Sequence, residues 1–150
     1  MATLEVNQKA PAFEAKNQDG KSVNLAQFNG KKLVLYFYPK DDTPGCTKEA
    51  CNLRDNYEVL KNKGYEILGV SPDDESKHQK FISKYDLPFD LLADPDHKVS
   101  EAYGVWVEKN MYGKTYMGIK RTTFVIDERG MIEEIIKNVK TDNHANQILA

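Results

Sequence analysis

The sequence has no large excess of charge of either sign, no long apolar run and no leader-like segment. Its 21 basic side chains nearly balance 23 acidic ones, giving a net charge of −2, and no run of about five like charges occurs. No stretch approaches the roughly 18 apolar residues of a membrane-spanning helix, and residues 1–9 lack the apolar core of a signal peptide. These absences argue against nucleic acid or a membrane as a partner, so we expect a soluble, cytoplasmic protein.

Cysteine is also scarce, because only Cys46 and Cys51 occur. A secreted scaffold of this length would carry several dispersed disulfide pairs, so the two neighbouring thiols favour a reducing compartment and a chemical role. The competing interpretation is that both are small buried apolar side chains, as free cysteine often is. Spacing alone leaves both interpretations open.

The length and composition predict one domain over residues 1–150. A chain of 150 residues with 40% hydrophobic residues has the usual size of a single domain and can bury about two thirds of its unfolded surface. The sequence contains no internal repeat, low-complexity tract or linker. We therefore expect a single core.

The first half of the chain predicts β-strands joined by α-helices. A continuous apolar run at residues 33–38 fits a central strand that is covered on both faces. The next apolar residues share one helical face, which predicts a helix that ends at Gly64; they are Ala50, Leu53, Tyr57 and Leu60. The remaining predictions are an N-terminal hairpin turned at residues 17–20, a strand at 66–71 and a helix at 74–85. This alternation implies parallel pairing of the strands.

The second half predicts a β-hairpin between shorter elements. A short strand at residues 91–93 and a short helix at 98–103 precede the hairpin, which turns at residues 128–130, and a short terminal helix covers residues 143–150. The segment at residues 105–117 is assigned to a loop whose aromatic side chains are candidates to line a substrate pocket; they are Trp106, Tyr112 and Tyr116. The order of elements predicts an α/β fold of the thioredoxin-like type, with a central mixed sheet flanked by helices and an N-terminal β-hairpin extension.

Cys46 falls at the start of the first predicted helix. A free cysteine has a pKa near about 8.5 and is mostly protonated in the cytoplasm, although the thiolate is the reactive form. The unpaired amide groups in the first turn of a helix favour an anion, so this position suits a reactive thiolate. Taken singly, Thr43 and Pro44 are ordinary helix-start residues.

The segment around Cys46 resembles the active site of a known family. Pro39, Thr43 and Cys46 match the P-x-x-x-T-x-x-C signature of peroxiredoxins. Residues 37–51 are similar to the active-site segment of the bacterioferritin comigratory protein or PrxQ subfamily, and residues 91–96, 112–116 and 118–127 extend the similarity over essentially the whole chain.

The resemblance implies roles for five residues. Cys46 would be the peroxidatic cysteine and Cys51 the thiol that resolves its oxidised form. Thr43 would orient the peroxide, Pro39 would shield the pocket from water, and Arg121 would stabilise the thiolate and the charge on the leaving oxygen. Glu49 also matches the subfamily pattern, but a glutamate on a helix surface needs no chemical role, so it is left outside the predicted site.

The spacing of the two cysteines has a geometric consequence. A sulfenic acid on Cys46 can condense with a second thiol before it is over-oxidised, and Cys51 is the only other thiol in the sequence. On an ideal helix, residues five apart are rotated by about 140° and their Cα atoms lie roughly 8.7 Å apart, whereas a disulfide needs no more than about 7 Å. Disulfide formation therefore requires the helix to unwind around the two cysteines.

Two other cysteine chemistries fit the sequence poorly. Thioredoxin-type oxidoreductases use Cys-x-x-Cys, which is absent here. A closed zinc site needs four ligands, and the histidines that could supplement the cysteines are expected to have other roles: His78 as a packed side chain, His97 and His144 as surface or capping residues. We expect no metal site.

These considerations favour an enzyme, a thioredoxin-dependent peroxiredoxin of the atypical two-cysteine kind. It would use no bound cofactor, reduce hydrogen peroxide and organic hydroperoxides, depend on thioredoxin or a glutaredoxin-like protein as reductant, and act as a monomer. The alternative is a non-enzymatic redox sensor that uses the same two cysteines, although such a sensor could do without the transition-state stabilisation that Thr43 and Arg121 suggest. A purely structural binding module is the third interpretation.

Overall fold

The computed structural model describes residues 4–150 and contains nine strands and five α-helices within that range. In chain order they are β1 (Glu14–Asn17), β2 (Ser22–Asn24), β3 (Lys32–Phe37), α1 (Pro44–Asp55), α2 (Tyr57–Asn62), β4 (Tyr65–Ser71), α3 (Glu75–Tyr85), β5 (Asp90–Ala93), α4 (Lys98–Ala102), β6 (Trp106–Met111), β7 (Lys114–Ile119), β8 (Thr122–Ile126), β9 (Ile132–Ile136) and α5 (His144–Leu149). Over residues 4–150, no helix has the length and apolar character needed to cross a membrane.

Seven of the strands form one mixed sheet in the order β2-β1-β5-β4-β3-β8-β9. Strand β4 pairs in parallel with β3 and β5, while β8 pairs antiparallel with both β3 and β9. The β1–β2 hairpin joins the sheet through β5. The predicted mixed sheet with an N-terminal hairpin is therefore confirmed.

The central strand β3 is buried on both of its faces, which explains its continuous apolar sequence. Leu33, Leu35 and Phe37 belong to the core on one side of the sheet. Val34 and Tyr36 belong to the core on the other side, where Cys46 is also packed. Cys46 therefore lies on the side of the sheet that α1 covers.

The single helix predicted to run up to Gly64 is in fact two helices. Helix α1 ends at Asp55, and Asn56 adopts φ −112° and ψ 12° before α2 begins. The Asn56 side chain donates from Nδ2 to the carbonyl oxygen of Asn52 at 2.8 Å. A short polar side chain that competes for backbone groups in this way disfavours a helix interior, which accounts for the break.

The prediction of a loop at residues 105–117 was wrong. Strands β6 and β7 form a separate two-stranded sheet. They are joined at Tyr112 and Gly113, whose φ values of 52° and 78° match the positive φ that a two-residue hairpin turn requires. Tyr112 is a poor sequence signal for that turn, because asparagine, aspartate or glycine usually occupies its position.

Gly69 on β4 is required by close packing. A Cβ atom there would lie 2.7 Å from Leu91 Cδ2 and 2.8 Å from Tyr36 Cζ, so Gly69→Ala is expected to lower the free energy of unfolding by about 1–3 kcal/mol. Urea denaturation would measure this. Gly118→Ala is the matched control, because its Cβ would meet the flexible Lys109 stem at 3.3 Å. Equal stability of the two variants would contradict the expectation.

Candidate active site

The loop that precedes α1 is anchored by buried hydrogen bonds. The Asp41 amide donates to Asp73 Oδ2 at 2.7 Å, the Tyr38 hydroxyl donates to Asp41 Oδ1 at 2.6 Å, and His78 Nδ1 lies 2.6 Å from Asp41 Oδ2. His78 is fully buried, as predicted for a packed histidine. These bonds fix the chain just before the start of α1.

Asp41, Asp73 and His78 also have the residue types of a metal site, and one ligand atom from each lies within 4.8 Å of the others. All three already have protein partners. His78 Nε2 lies 2.9 Å from the Leu92 carbonyl oxygen, and Asp73 Oδ2 accepts a hydrogen bond from the Ser71 hydroxyl at 2.7 Å. The trio is therefore accounted for as an internal hydrogen-bond network.

Helix α1 begins as the sequence predicts, but Thr43 does not cap it with its side chain. Thr43 is the N-cap residue, makes no capping hydrogen bond with its hydroxyl, and is followed by Pro44 in the first turn. The Thr43 hydroxyl instead donates to the Lys40 carbonyl oxygen at 2.9 Å. The first helical hydrogen bond runs from the Thr47 amide to the Thr43 oxygen at 2.8 Å, so the amides of Gly45 and Cys46 precede it.

Cys46 lies in that first turn, with 1% of its surface exposed. Arg121 Nη2 donates to its sulfur at 3.3 Å. Arg121 comes directly before β8, and the antiparallel pairing of Phe37 with Thr122 brings it to the end of the central strand. The sheet thus joins two predicted site residues that are 75 positions apart.

Cys51 is half-buried on the same uninterrupted helix as Cys46. Both thiols are free. With α1 intact, the two cysteines keep the helical separation that exceeds the reach of a disulfide. Pro39 is half-buried just after β3, so the loop from Pro39 to Thr43 leads directly into the first turn of α1, where Cys46 lies.

The prediction that Glu49 is a surface residue was wrong. Glu49 is fully buried, and its Oε1 accepts a hydrogen bond from Arg121 Nη1 at 2.6 Å. Burial raises the pKa of Glu49 to about 7, against the opposing effect of the Arg121 charge. The guanidinium therefore bridges Glu49 and Cys46. A sequence signal existed, because Glu49 lies three residues after Cys46 and shares the apolar helical face of Ala50 and Leu53.

The prediction for His144 was also wrong, because this side chain is fully buried. Its Nε2 lies 2.7 Å from the Thr123 hydroxyl and 3.5 Å from Glu49 Oε2. Helix α5 thus packs a histidine beneath the buried carboxyl group. No local sequence pattern predicts this contact, since it depends on how α5 packs against α1. His97 is the N-cap residue of α4 without a side-chain capping bond.

Of the three aromatic candidates for the pocket, none packs in the core that contains Cys46. Trp106 packs against the core on the opposite side of the sheet and stacks on His97 at 3.6 Å between ring centroids. Tyr112 and Tyr116 are 98% and 44% exposed. Lys109 on β6 does feel the charge of the site. Burial, and after it the charge of Arg121, lowers the pKa of Lys109.

A buried thiol at a helix start, hydrogen-bonded to an arginine that directly precedes a strand of the mixed sheet, is the arrangement of a thiol-reactive protein. The chain matches the AhpC/TSA family over residues 6–135. It is 51% identical over 147 residues to a putative peroxiredoxin bcp of Coxiella burnetii, covering 98% of this chain and 97% of that one. It is 48% identical over 149 residues to peroxiredoxin Bcp of Escherichia coli, covering 99% and 96%.

Solved structures agree with this match. Peroxiredoxin Q of Xanthomonas campestris superposes with a TM-score of 0.87 at 37% identity, covering 91% of this chain and 87% of that one. The chain therefore belongs to the AhpC/TSA family, among the peroxiredoxins of the Bcp and PrxQ type. Its fold is the predicted thioredoxin-like fold, and its family supports a thiol peroxidase activity.

Proposed function

We propose that the protein is a thiol-dependent peroxidase whose Cys46 thiolate attacks hydrogen peroxide or an organic hydroperoxide. The observation that carries the proposal is the hydrogen bond from Arg121 Nη2 to Cys46 Sγ at 3.3 Å, in a first helical turn that favours an anion. The sulfur attacks one peroxide oxygen, the O–O bond breaks, and the leaving oxygen takes a proton to become water or an alcohol. Cys46 becomes a sulfenic acid.

Thr43, Pro39 and Arg121 prepare the site for that step. Because the Thr43 hydroxyl donates its hydrogen bond to the Lys40 carbonyl oxygen, its lone pairs are available to accept a hydrogen bond from the peroxide O–H. Pro39 contributes an apolar ring without an amide donor at the same loop. The positive charge of Arg121 stabilises both the attacking sulfur and the oxygen that leaves.

Cys51 then resolves the oxidised intermediate. Its thiolate attacks the Cys46 sulfur, a disulfide forms and the sulfenic oxygen leaves as water. This step requires α1 to unwind, which separates Glu49 from Arg121 and disturbs the contacts of Asn52 with α5 and with the segment just before it. Those contacts are Asn52 Nδ2 to the Asp142 oxygen at 3.1 Å and the Ala145 amide to Asn52 Oδ1 at 2.8 Å.

The two electrons that restore the thiols come from an external dithiol protein. Thioredoxin is the reductant that we propose, with a glutaredoxin-like protein as the alternative, and no bound cofactor takes part in either step. The protein would act as a monomeric cytoplasmic enzyme within one domain, and its partners would be transient.

The proposal is tested by mixing the reduced protein with hydrogen peroxide in a stopped-flow instrument and analysing the quenched product by mass spectrometry. We expect a reaction far faster than that of free cysteine, with a Cys46–Cys51 disulfide as the product. A disulfide that forms no faster than free cysteine reacts would support the redox sensor instead. An unoxidised protein would leave only a structural role for the two cysteines.

A further inference from the structure

Glu49 is bound through only one of its two carboxyl oxygens. Oε1 accepts the Arg121 hydrogen bond, but the fully buried Oε2 has no hydrogen-bond partner among residues 4–150. Nε2 of His144 lies 3.5 Å from it. A buried carboxylate oxygen without a donor costs free energy, so the state of His144 decides whether this arrangement is favourable.

The surroundings of His144 define its tautomer. The other ring nitrogen, Nδ1, lies 2.9 Å from Gln147 Oε1. That oxygen is fixed as an acceptor, because the Lys140 amide also donates to it at 2.8 Å and Gln147 Nε2 donates to the Asn138 oxygen. Nδ1 must therefore carry a proton. In a neutral ring, Nε2 then has a lone pair, which the Thr123 hydroxyl and Glu49 Oε2 both face.

A neutral His144 accepts a hydrogen bond from the Thr123 hydroxyl at Nε2, 2.7 Å away, and so offers no donor to Glu49 Oε2 at 3.5 Å. An ionised Glu49 would then keep a buried carboxylate oxygen without a donor, which a proton on either of the two groups would relieve. The imidazolium form is disfavoured, since burial and the charge of Arg121 lower the pKa of His144 against a smaller raising effect of Gln147. The carboxylic acid form is populated up to about neutral pH, since burial raises the pKa of Glu49 to about 7 against the opposing charge of Arg121. Geometry and electrostatics thus place the proton on the same oxygen.

We propose that Glu49 carries a proton on Oε2 in the reduced, folded protein and directs it towards Nε2 of His144, so that His144 is a positioning residue of the peroxidatic site. The consequence concerns Arg121, which contacts both Glu49 and Cys46. An ionised Glu49 would neutralise much of the guanidinium charge. A neutral Glu49 leaves that charge to the Cys46 thiolate, while Arg121 keeps its orientation through Oε1.

The other groups that face Glu49 are compatible with this arrangement. Tyr36 approaches from β3, and burial followed by the charge of Glu49 raises its pKa well above the ordinary value, so it adds no charge. Arg121 precedes β8, His144 belongs to α5 and Cys46 to α1 itself. With a proton on Glu49, the Arg121 guanidinium is the one charge among these neighbours that faces the Cys46 sulfur. The inference about catalysis rests on the proposed function, whereas the position of the proton does not.

Infrared spectroscopy tests the proton directly. At a pH of about 6, ordinary carboxyl groups are ionised, so the difference spectrum between the wild type and Glu49→Gln should contain the C=O band of one protonated carboxylic acid. Glu58→Gln is the matched control, because Glu58 is an exposed residue of α2 and its removal should leave that band intact. A spectrum with only carboxylate bands for Glu49, together with 15N shifts of a doubly protonated His144, would overturn the proposal.

Gln147→Glu tests whether His144 controls the site. A carboxylate beside Nδ1 should stabilise the imidazolium form of His144. The proton on Glu49 Oε2 would then move to Nε2, and the N–H so formed would donate a hydrogen bond to the ionised Glu49. We expect the carboxylic acid band to disappear and the thiolate absorbance of Cys46 at neutral pH to fall roughly threefold, since nearby charges of this kind shift such equilibria by a unit or so. Asn146→Asp adds the same charge on an exposed neighbour and should change neither signal.

The two proposals can fail separately. If the infrared band is present and responds to Gln147→Glu while the wild type reacts with peroxide no faster than free cysteine, the proton position stands and the peroxidase function fails. If peroxide reacts fast but the band is absent, the peroxidase function stands, and both the proton on Glu49 and the role of His144 are wrong. A retained band with unchanged thiolate absorbance in Gln147→Glu would also remove His144 from the site.

Discussion

Cys46→Ser is expected to abolish peroxide consumption, because a serine hydroxyl stays protonated at neutral pH and cannot attack the O–O bond as a thiolate does. The variant should fold, since serine is slightly smaller than cysteine and its hydroxyl can accept the Arg121 hydrogen bond that the sulfur accepts at 3.3 Å. Stopped-flow kinetics with excess hydrogen peroxide would measure the loss, and circular dichroism would confirm the fold.

Cys51→Ser is the matched variant for this experiment, because it removes the second thiol and leaves the first turn of α1 unchanged. We expect it to consume one equivalent of peroxide at nearly the wild-type rate and then stop, with one added oxygen on Cys46 in the mass spectrum. Prolonged exposure should carry that sulfur to sulfinic acid. Continued turnover with thioredoxin would contradict the resolving role of Cys51, and residual turnover in Cys46→Ser would contradict the role of Cys46.

Most of the elements predicted from local patterns are confirmed by the structure. The apolar run of β3 and the hairpin of β8 and β9 depend on short-range signals, namely continuous burial and a turn that contains Gly130. The hairpin of β6 and β7 was missed because its turn uses Tyr112 with φ 52°, which only the paired strands stabilise. The break at Asn56 was missed because one side-chain hydrogen bond overrides a helical pattern that continues on both sides.

The candidate site likewise contains residues that a local sequence pattern identifies and residues that it does not. Cys46, Thr43 and Pro39 lie within eight residues, so a sequence motif identifies them together, and Arg121 follows from the same resemblance. Glu49 was misplaced because its charge suggested a solvent-facing position, although its helical spacing from Cys46 indicated burial. His144 reaches the site only through the packing of α5 on α1, a tertiary contact to which no residue near it in sequence points.

Arg121→Met should slow the reaction with peroxide by roughly 10² to 10³, the usual cost of removing a charged donor that stabilises a transition state. Methionine fills a similar volume but cannot donate to Cys46 or to Glu49. The thiolate absorbance of Cys46 at neutral pH should fall as well. Overall stability should suffer less than the loss of a buried ion pair usually implies, because Glu49 can remain neutral with its proton.

Arg129→Met is the matched control, since Arg129 has an 83% exposed side chain and pairs with Asp127 at 3.6 Å. It removes the same formal charge and should leave the peroxide rate unchanged, so a similar loss in both variants would attribute the effect to net charge rather than to the site. Arg121→Lys separates charge from geometry. Lysine keeps a positive charge but lacks the planar fork that contacts Glu49 and Cys46 simultaneously, so its rate should lie between those of the wild type and Arg121→Met. A rate equal to the wild type would show that the charge alone activates Cys46, and the bridge from Glu49 through Arg121 to the sulfur would then have no catalytic function.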